Sequence, residues 1–311
     1  MSTSTQDIFG AAPAAAPATP GSYGEPSAAG RLPDATRLGA VRLQVADLAR
    51  SRDWYTRVLG LRVLADDGAG ATLGAHADDA PLVTLVARPG ARPMAARGRL
   101  GLYHFAILLP DRAALGRFVR HLGESGVRAG AGDHLVSEAF YLTDPDGLGI
   151  EVYADRPRET WRRVGKELMM ATDPVDVPGL VAAAGGVSWT GMPAGTVMGH
   201  VHLHVGDVDA ARAFYAEGLG FDRTVWHYPG ALFLGAGGYH HHLGTNTWAG
   251  PGARPPAADD ARLLDWTIVL PAAADVDAVA GRLERAGYAT RRDGDALLAD
   301  DPWGTTVRIT L

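Results

Sequence analysis

Three residues of this 311-residue chain have the type and setting to hold a divalent cation: His104 in LYHFAILLP, Glu151 in GIEVYADRP and His200 in MGHVHLHVGD. Two imidazoles and one carboxylate suit Fe(II) and neighbouring divalent metals, and they leave coordination positions open for other ligands. The chain has no cysteine, so disulfides are excluded and a metal site has to be built from His and carboxylate. His200, His202 and His204 lie two apart and share one face of a strand. His202 falls one step beyond His200 and is a candidate substrate-binding residue. His204 reads equally well as an interior histidine with its own partner.

Two further segments carry chemistry. Tyr153 shares the face of Glu151 and can donate a hydrogen bond to a bound oxygen, or simply to a buried partner. In the run Tyr239-His240-His241-His242, read as a strand, His240 and His242 lie on one face with Asn246, and His241 lies on the other. Imidazole titrates near neutrality, which suits it to act first as a base and then as an acid. Asn246 is a candidate for hydrogen bonding to substrate, and Trp248 reads as packing.

The elements that must position these residues follow from an internal repeat. The segment from Val45 to Leu61 (VADLARSRDWYTRVLGL) returns without a gap from Val205 to Phe221 (VGDVDAARAFYAEGLGF). Each copy predicts a strand, an N-capping Asp and an amphipathic helix that stops at Gly60 or Gly220. A second pair has HFAILLP before RAALGRFVRHLGESG, and DWTIVLP before DVDAVAGRLERAG. Each half closes on a turn and a terminal strand, DPDGLGIEVY from Asp144 and DPWGTTVRIT from Asp301. The Asp and Gly residues of these turns shape the backbone.

Four modules result, at 37–88, 100–154, 199–248 and 263–311. The expected domain order is a disordered Ala/Pro/Gly-rich tail (1–36), a first module pair (37–155), a helical connector (156–198) and a second module pair (199–311). The tail shows no apolar periodicity and too little apolar surface to offset its ordering entropy. In the connector, ETWRRVGKELMM reads as helical, and DPVDVPGLVAAAG carries helix-start signals.

Composition narrows the function classes. Apolar residues make up 47% and charged residues 21%, an ordinary globular balance, and the net charge is -6 with no basic run. That argues against nucleic acid or an anionic membrane as partner. No apolar stretch is long enough to span a bilayer, and the N-terminus lacks the pattern of a signal peptide, so a cytoplasmic placement is the simplest.

Four such modules, with the openings and DPDGxxIEVY ending quoted above, resemble the vicinal oxygen chelate superfamily of glyoxalases, bleomycin resistance proteins and extradiol dioxygenases. Within it, MGHVHLHVGD, GLYHFAILLP, GIEVYADRP and GYHHHLGTNTW resemble the CatE-like catechol 2,3-dioxygenase group. The resemblance covers 37–311. It implies an α+β fold of four βαβββ modules in two tandem halves, paired into cup-shaped mixed sheets with a metal at the centre of a cup. It also implies that His104, Glu151 and His200 are the metal ligands. Ala40, Asp265 and Arg308 stand at the corresponding positions of the other modules, so one intact site is expected between modules two and three. Modules one and four would then form a degenerate cup, its inner face made polar by Arg42 and Gln44. In resembling extradiol enzymes a histidine on the strand of the His run is the acid/base, which nominates His242 first and His240 second.

Glyoxalase-type isomerases of this superfamily take a fourth ligand, a carboxylate, from that same strand, and GYHHHLGTNTW has none. The resemblance therefore favours an Fe(II)-dependent extradiol ring-cleaving dioxygenase on a catechol-type substrate, with Mn(II) as the other ion. Its partners would be a small aromatic substrate and O2, and the chain would be a monomer or homodimer. The alternatives are another metal-dependent enzyme of the scaffold (isomerase, epimerase or thiol transferase) and a non-catalytic binder of an aromatic compound or drug.

Overall fold

Asp47, Asp111 and Asp207 each accept a hydrogen bond from the backbone N–H three residues on, at Arg50, Ala114 and Ala210, and so start a helix with an otherwise orphaned donor satisfied. Gly60 and Gly220 follow the two repeated helices with φ of 76° and 98°, a conformation that stops a helix at little expense only for glycine. In the computed structural model, which describes residues 3–11 and 13–311, each expected module is a strand, a helix and three further strands. In module three the helix Val208–Arg212 continues as a wider π-turn, Ala213–Gly218.

Pairing crosses the halves of the sequence. Modules two and three build one eight-stranded mixed sheet, and modules one and four build the other. At the centre of each, two opening strands run antiparallel, Gly101–Leu108 against Val197–His204 and Arg37–Val45 against Arg262–Val269. Each is flanked on its other side by the parallel closing strand of its own module.

The two sheets are joined through their helices. The buried Tyr55 of module one donates to Asp144 of module two at 3.1 Å, and Tyr215 of module three donates to Asp301 of module four at 2.8 Å. Asp144 also accepts the N–H groups of Asp146 and Leu148, and burial pushes its carboxyl up to about 6. The turn aspartates therefore shape and anchor the backbone. Phe105, Tyr55, Tyr215 and Trp266 are fully buried in the main core.

Two expectations for the linking segments are corrected. Residues 1, 2 and 12 of the expected tail lie outside the described residues, but the rest of 3–36 is anchored to the body at intervals. Ser4 caps a short helix, Thr5–Phe9, and Thr5 binds both carboxylate oxygens of Asp173. Ala16–Pro17 pairs with Arg162–Val164, Tyr23 donates to the Gly238 carbonyl at 2.5 Å, and Arg31 grips Asp222. This strap has no periodicity because its anchors are single residues whose partners lie far along the chain. ETWRRVGKELMM is also not a helix. After one turn at Arg158–Thr160 it forms the hairpin Arg162–Val164/Glu167–Leu168, turned at Gly165 with φ 60°, and buries Trp161, Leu168 and Met170 against the strap side of the sheet. The later helix, Val177–Ala183, starts at Asp176 as its signals indicated.

Candidate metal centre

Three adjacent strands bring the candidate ligands together. Ala106 pairs with His200 on one side and with Glu151 on the other, so the three form a row across the sheet. His104 lies two residues before Ala106 and projects on the same face. The small side chain of Ala106 leaves the centre of the row open. His104 Nε2 and His200 Nε2 lie 3.0 and 3.2 Å from Glu151 Oε2, and 3.4 Å from each other. All three residues are buried, and their ligand atoms fall within 4.8 Å of one another.

This geometry fits a divalent cation. Burial disfavours the imidazolium and holds both histidines below their ordinary value, so each is neutral with a ring lone pair available to a metal. Glu151 Oε1 is buried with no hydrogen-bond donor, an expensive state for a carboxylate that a bound cation would relieve. Oxygen and nitrogen donors in this ratio match the two-His, one-carboxylate sets of non-haem iron sites.

The other cup shows how the same fold fills this place without such donors. Asp265 is buried between Arg42, at 2.6 Å, and Arg308, at 3.5 Å, and Arg308 also pairs with Asp293. Ala40 contributes no donor there. Gln44 is spent on the Ala258 and Asp260 carbonyls. Cationic side chains and their partners thus occupy the centre of the degenerate cup.

A cavity of about 640 Å³ opens over the three candidate ligands. His202 stands in its wall. Asn246 does not: it is fully buried, donates to His202 Nε2 at 2.9 Å and accepts from His204 Nδ1 at 2.7 Å and from the Trp248 N–H. It holds the histidines that face the cavity. The amide's three bonds fix its own orientation, and with it the tautomer of both rings.

The His run departs from the strand reading. The last strand of module three begins only at Leu243, and Gly237 and Gly238 turn the chain with φ 59° and 65°, so alternation does not extend back through the run. His241 is the one that reaches the cavity. Its ring lies tilted against that of His200, centroids 4.1 Å apart, and packs on Phe233 at 5.0 Å. His242 faces Phe221 and Tyr239 and accepts the Ala236 N–H, in a separate depression beside Arg158 and Met198. His240 is fully buried behind His241. The nominations of His242 and His240 as groups facing a substrate are therefore corrected.

Tyr153 is corrected in the same sense. Its hydroxyl lies 2.7 Å from that of Tyr239, below the ring of His200 and away from the cavity. Its seat depends on Gly199, where the pairing of the two opening strands shifts register. A Cβ there would come 1.8 Å from the tyrosine oxygen. Gly199→Ala is therefore expected to displace Tyr153 and destabilise the fold by about 1–3 kcal/mol, measured by denaturant unfolding, with a parallel loss of metal affinity because His200 is next in sequence. Gly199→Ala and Tyr153→Phe combined should recover part of the stability.

Several cavity residues were not singled out from sequence. Tyr141 lies beside His104 and donates to His134 Nε2 at 2.5 Å, while His134 Nδ1 donates to the Ala171 carbonyl at 2.7 Å. Burial pushes the Tyr141 hydroxyl well above its ordinary value, so it stays protonated. Tyr141 was legible in principle, because it pairs directly with Glu151 across two strands of the DPDG hairpin. Tyr103, 39% exposed, and Trp248, 43% exposed, meet edge to face at 5.8 Å at the mouth, so Trp248 is a wall of the entrance rather than packing. Thr3, from the strap, and Met170, from the connector, complete the lining, which no local pattern announces.

Cup, donor set and cavity can be set against known proteins. The Glyoxalase/Bleomycin resistance protein/Dioxygenase superfamily model matches residues 37–152 and 197–309. The chain belongs to that superfamily. The catechol-2,3-dioxygenase of Bacillus subtilis (strain 168) is 45% identical to it over 270 residues, which is 86% of this chain and 94% of that protein, so the chain is a homologue of that enzyme over most of its length. Among solved structures, glyoxalase I from Zea mays superposes with a TM-score of 0.53 at 17% identity, covering 88% of this chain and 92% of that one. The cppA protein from Streptococcus pneumoniae TIGR4 gives 0.50 at 11% identity, covering 88% of this chain and 100% of that one. These two show the fold alone. Among the described residues, no helix is long and apolar enough to cross a membrane.

Proposed function

We propose that the chain is an Fe(II)-dependent extradiol dioxygenase that opens a catechol-type ring, with Mn(II) as the other ion its donor set accepts. One observation carries the reading: two imidazoles and one carboxylate converge at the floor of an aromatic-walled cavity, and among the described residues no second carboxylate joins them. Three donors leave room for two substrate oxygens and O2. Homology to a catechol-2,3-dioxygenase supports the same class of substrate. The reading takes the enzyme to be cytoplasmic.

His104, Glu151 and His200 would hold the ion, which supplies Lewis acidity and a template for substrate and O2 when bound. His241 takes the ring-hydroxyl proton at Nε2, the nitrogen that makes no hydrogen bond among the described residues, and returns it as the ring opens. Tyr141 commits its proton to His134 and therefore turns an oxygen lone pair toward the bound phenol. Phe233 in the wall, with Tyr103 and Trp248 at the mouth, offers ring faces and edges to a flat aromatic substrate and excludes water from it.

The test is oxygen uptake by protein loaded anaerobically with Fe(II). Catechol is expected to consume one O2 per molecule and to give a yellow ring-opened product, with the activity abolished by a chelator and restored by Fe(II). Turnover of a chelating substrate without O2, supported by Ni(II) or Co(II), would overturn the reading in favour of an isomerase.

A further inference from the structure

Behind His241 runs a chain of polar groups, buried at His240 and partly exposed at Asp155, whose members beyond His241 the proposed reaction does not itself use. His241 Nδ1 lies 2.7 Å from His240 Nδ1, and His240 Nε2 lies 3.0 Å from Asp155 Oδ1. Tyr239 also donates to Asp155 Oδ1, at 3.2 Å, and its oxygen is 2.7 Å from that of Tyr153. Asp155 sits on the closing strand of module two, on the same face as Glu151 and Tyr153 and four residues beyond the candidate ligand. Its side chain is 27% exposed, whereas His240 is fully buried and packed between Tyr239, at 4.1 Å, and Trp161, at 5.5 Å.

The polarity of this chain is fixed by what each group can do. A carboxylate only accepts, so His240 carries its proton on Nε2 and leaves Nδ1 bare. Two bare nitrogens cannot face each other at 2.7 Å, so His241 supplies the proton from its Nδ1. Its Nε2, on the cavity side, is then left with a lone pair. An imidazole in this tautomer can accept a proton from substrate, and one in the other tautomer cannot.

We infer that Asp155 and His240 are positioning residues that set the tautomer of His241 from behind, so that a bare Nε2 faces the substrate. The inference rests on the proposed role of His241, but the tautomer itself is read without turnover. The arrangement parallels the way a buried carboxylate orients a catalytic imidazole in serine proteases, with a second imidazole interposed.

Asp155→Asn tests it. The amide keeps the shape but can donate to His240 Nε2, which allows the whole chain to reverse and places the His241 proton on Nε2. In full-length, Zn(II)-loaded protein labelled with 15N-histidine, multiple-bond 1H–15N spectra should show the Nδ1–H form of His241 in the wild type and the Nε2–H form in Asp155→Asn. Asp155→Glu should restore the wild-type pattern. In the Fe(II)-loaded enzyme, kcat for catechol should fall roughly 10²-fold in Asp155→Asn with KM unchanged. An Nε2–H form of His241 in the wild type, or an unaltered tautomer in Asp155→Asn, would overturn the inference. The wild-type spectrum decides even if the variant does not fold. A tautomer that reverses in protein that never opens a ring would leave this inference standing and remove the proposed reaction.

Discussion

Glu151→Gln should bind Fe(II) at least 100-fold more weakly than the wild type and lose kcat/KM for catechol by a comparable factor at limiting metal. The magnitude follows from a comparison of shells. Removing a group that merely supports a metal ligand commonly weakens binding 10- to 100-fold, so removing a ligand's charge should exceed that range. The substitution keeps the shape of the side chain and takes away the anion that draws the cation toward two neutral imidazoles. Its effect on the metal-free fold should be smaller. Glu151 Oε2 lies 3.0 and 3.2 Å from the Nε2 atoms of His104 and His200 while Oε1 is unpaired, so a neutral amide weakens two contacts as it removes a desolvation penalty. Metal-free Glu151→Gln is therefore expected to unfold close to the temperature of the metal-free wild type. Fe(II) or Mn(II) should raise the wild-type midpoint, because a ligand that binds only the native state stabilises it by mass action, and should leave the variant unmoved. Paired thermal scans with and without metal measure both halves.

The second large effect belongs to His241. His241→Asn is expected to lower kcat by roughly 10²- to 10⁴-fold, the usual contribution of a positioned proton acceptor, while metal content and KM stay close to wild type. Asparagine keeps a polar group beside His240 but offers no base. His242→Asn should change kcat by only a few-fold, because His242 lies outside the cavity and serves the Ala236 N–H. Steady-state kinetics on the two variants separate the adjacent residues. Equal losses would place the acid/base function elsewhere.

That contrast also marks where the sequence was legible. The repeat from Val45 to Val205 announced the modules, and comparing the halves located the one intact donor set, because Ala40, Asp265 and Arg308 stand where His200, His104 and Glu151 stand. Such features rest on local periodicity and on side-chain chemistry, both written in the chain. The His run failed for a geometric reason. Alternation holds only within a strand, and the strand begins at Leu243, after a turn made at Gly237 and Gly238. The face of Tyr153 is legible from alternation, but the face alone does not say that Tyr239 reaches it first. The strap and the hairpin at Arg162–Leu168 carry no local signal because they form against each other and against segments far along the chain, through contacts such as Tyr23 with Gly238, Thr5 with Asp173 and Glu167 with Trp226. An Ala/Pro-rich segment with isolated anchors shows no period of its own. Its contribution to the cavity lining through Thr3 was therefore invisible in the sequence.

The proposed activity depends on one ion gripped by residues from modules two and three. Anomalous diffraction from crystals grown anaerobically with Mn(II), collected at the manganese edge, tests this directly. A single strong peak within bonding distance of His104 Nε2, His200 Nε2 and the Glu151 carboxylate is the expected result. No peak there, or a peak held by other side chains, would contradict it.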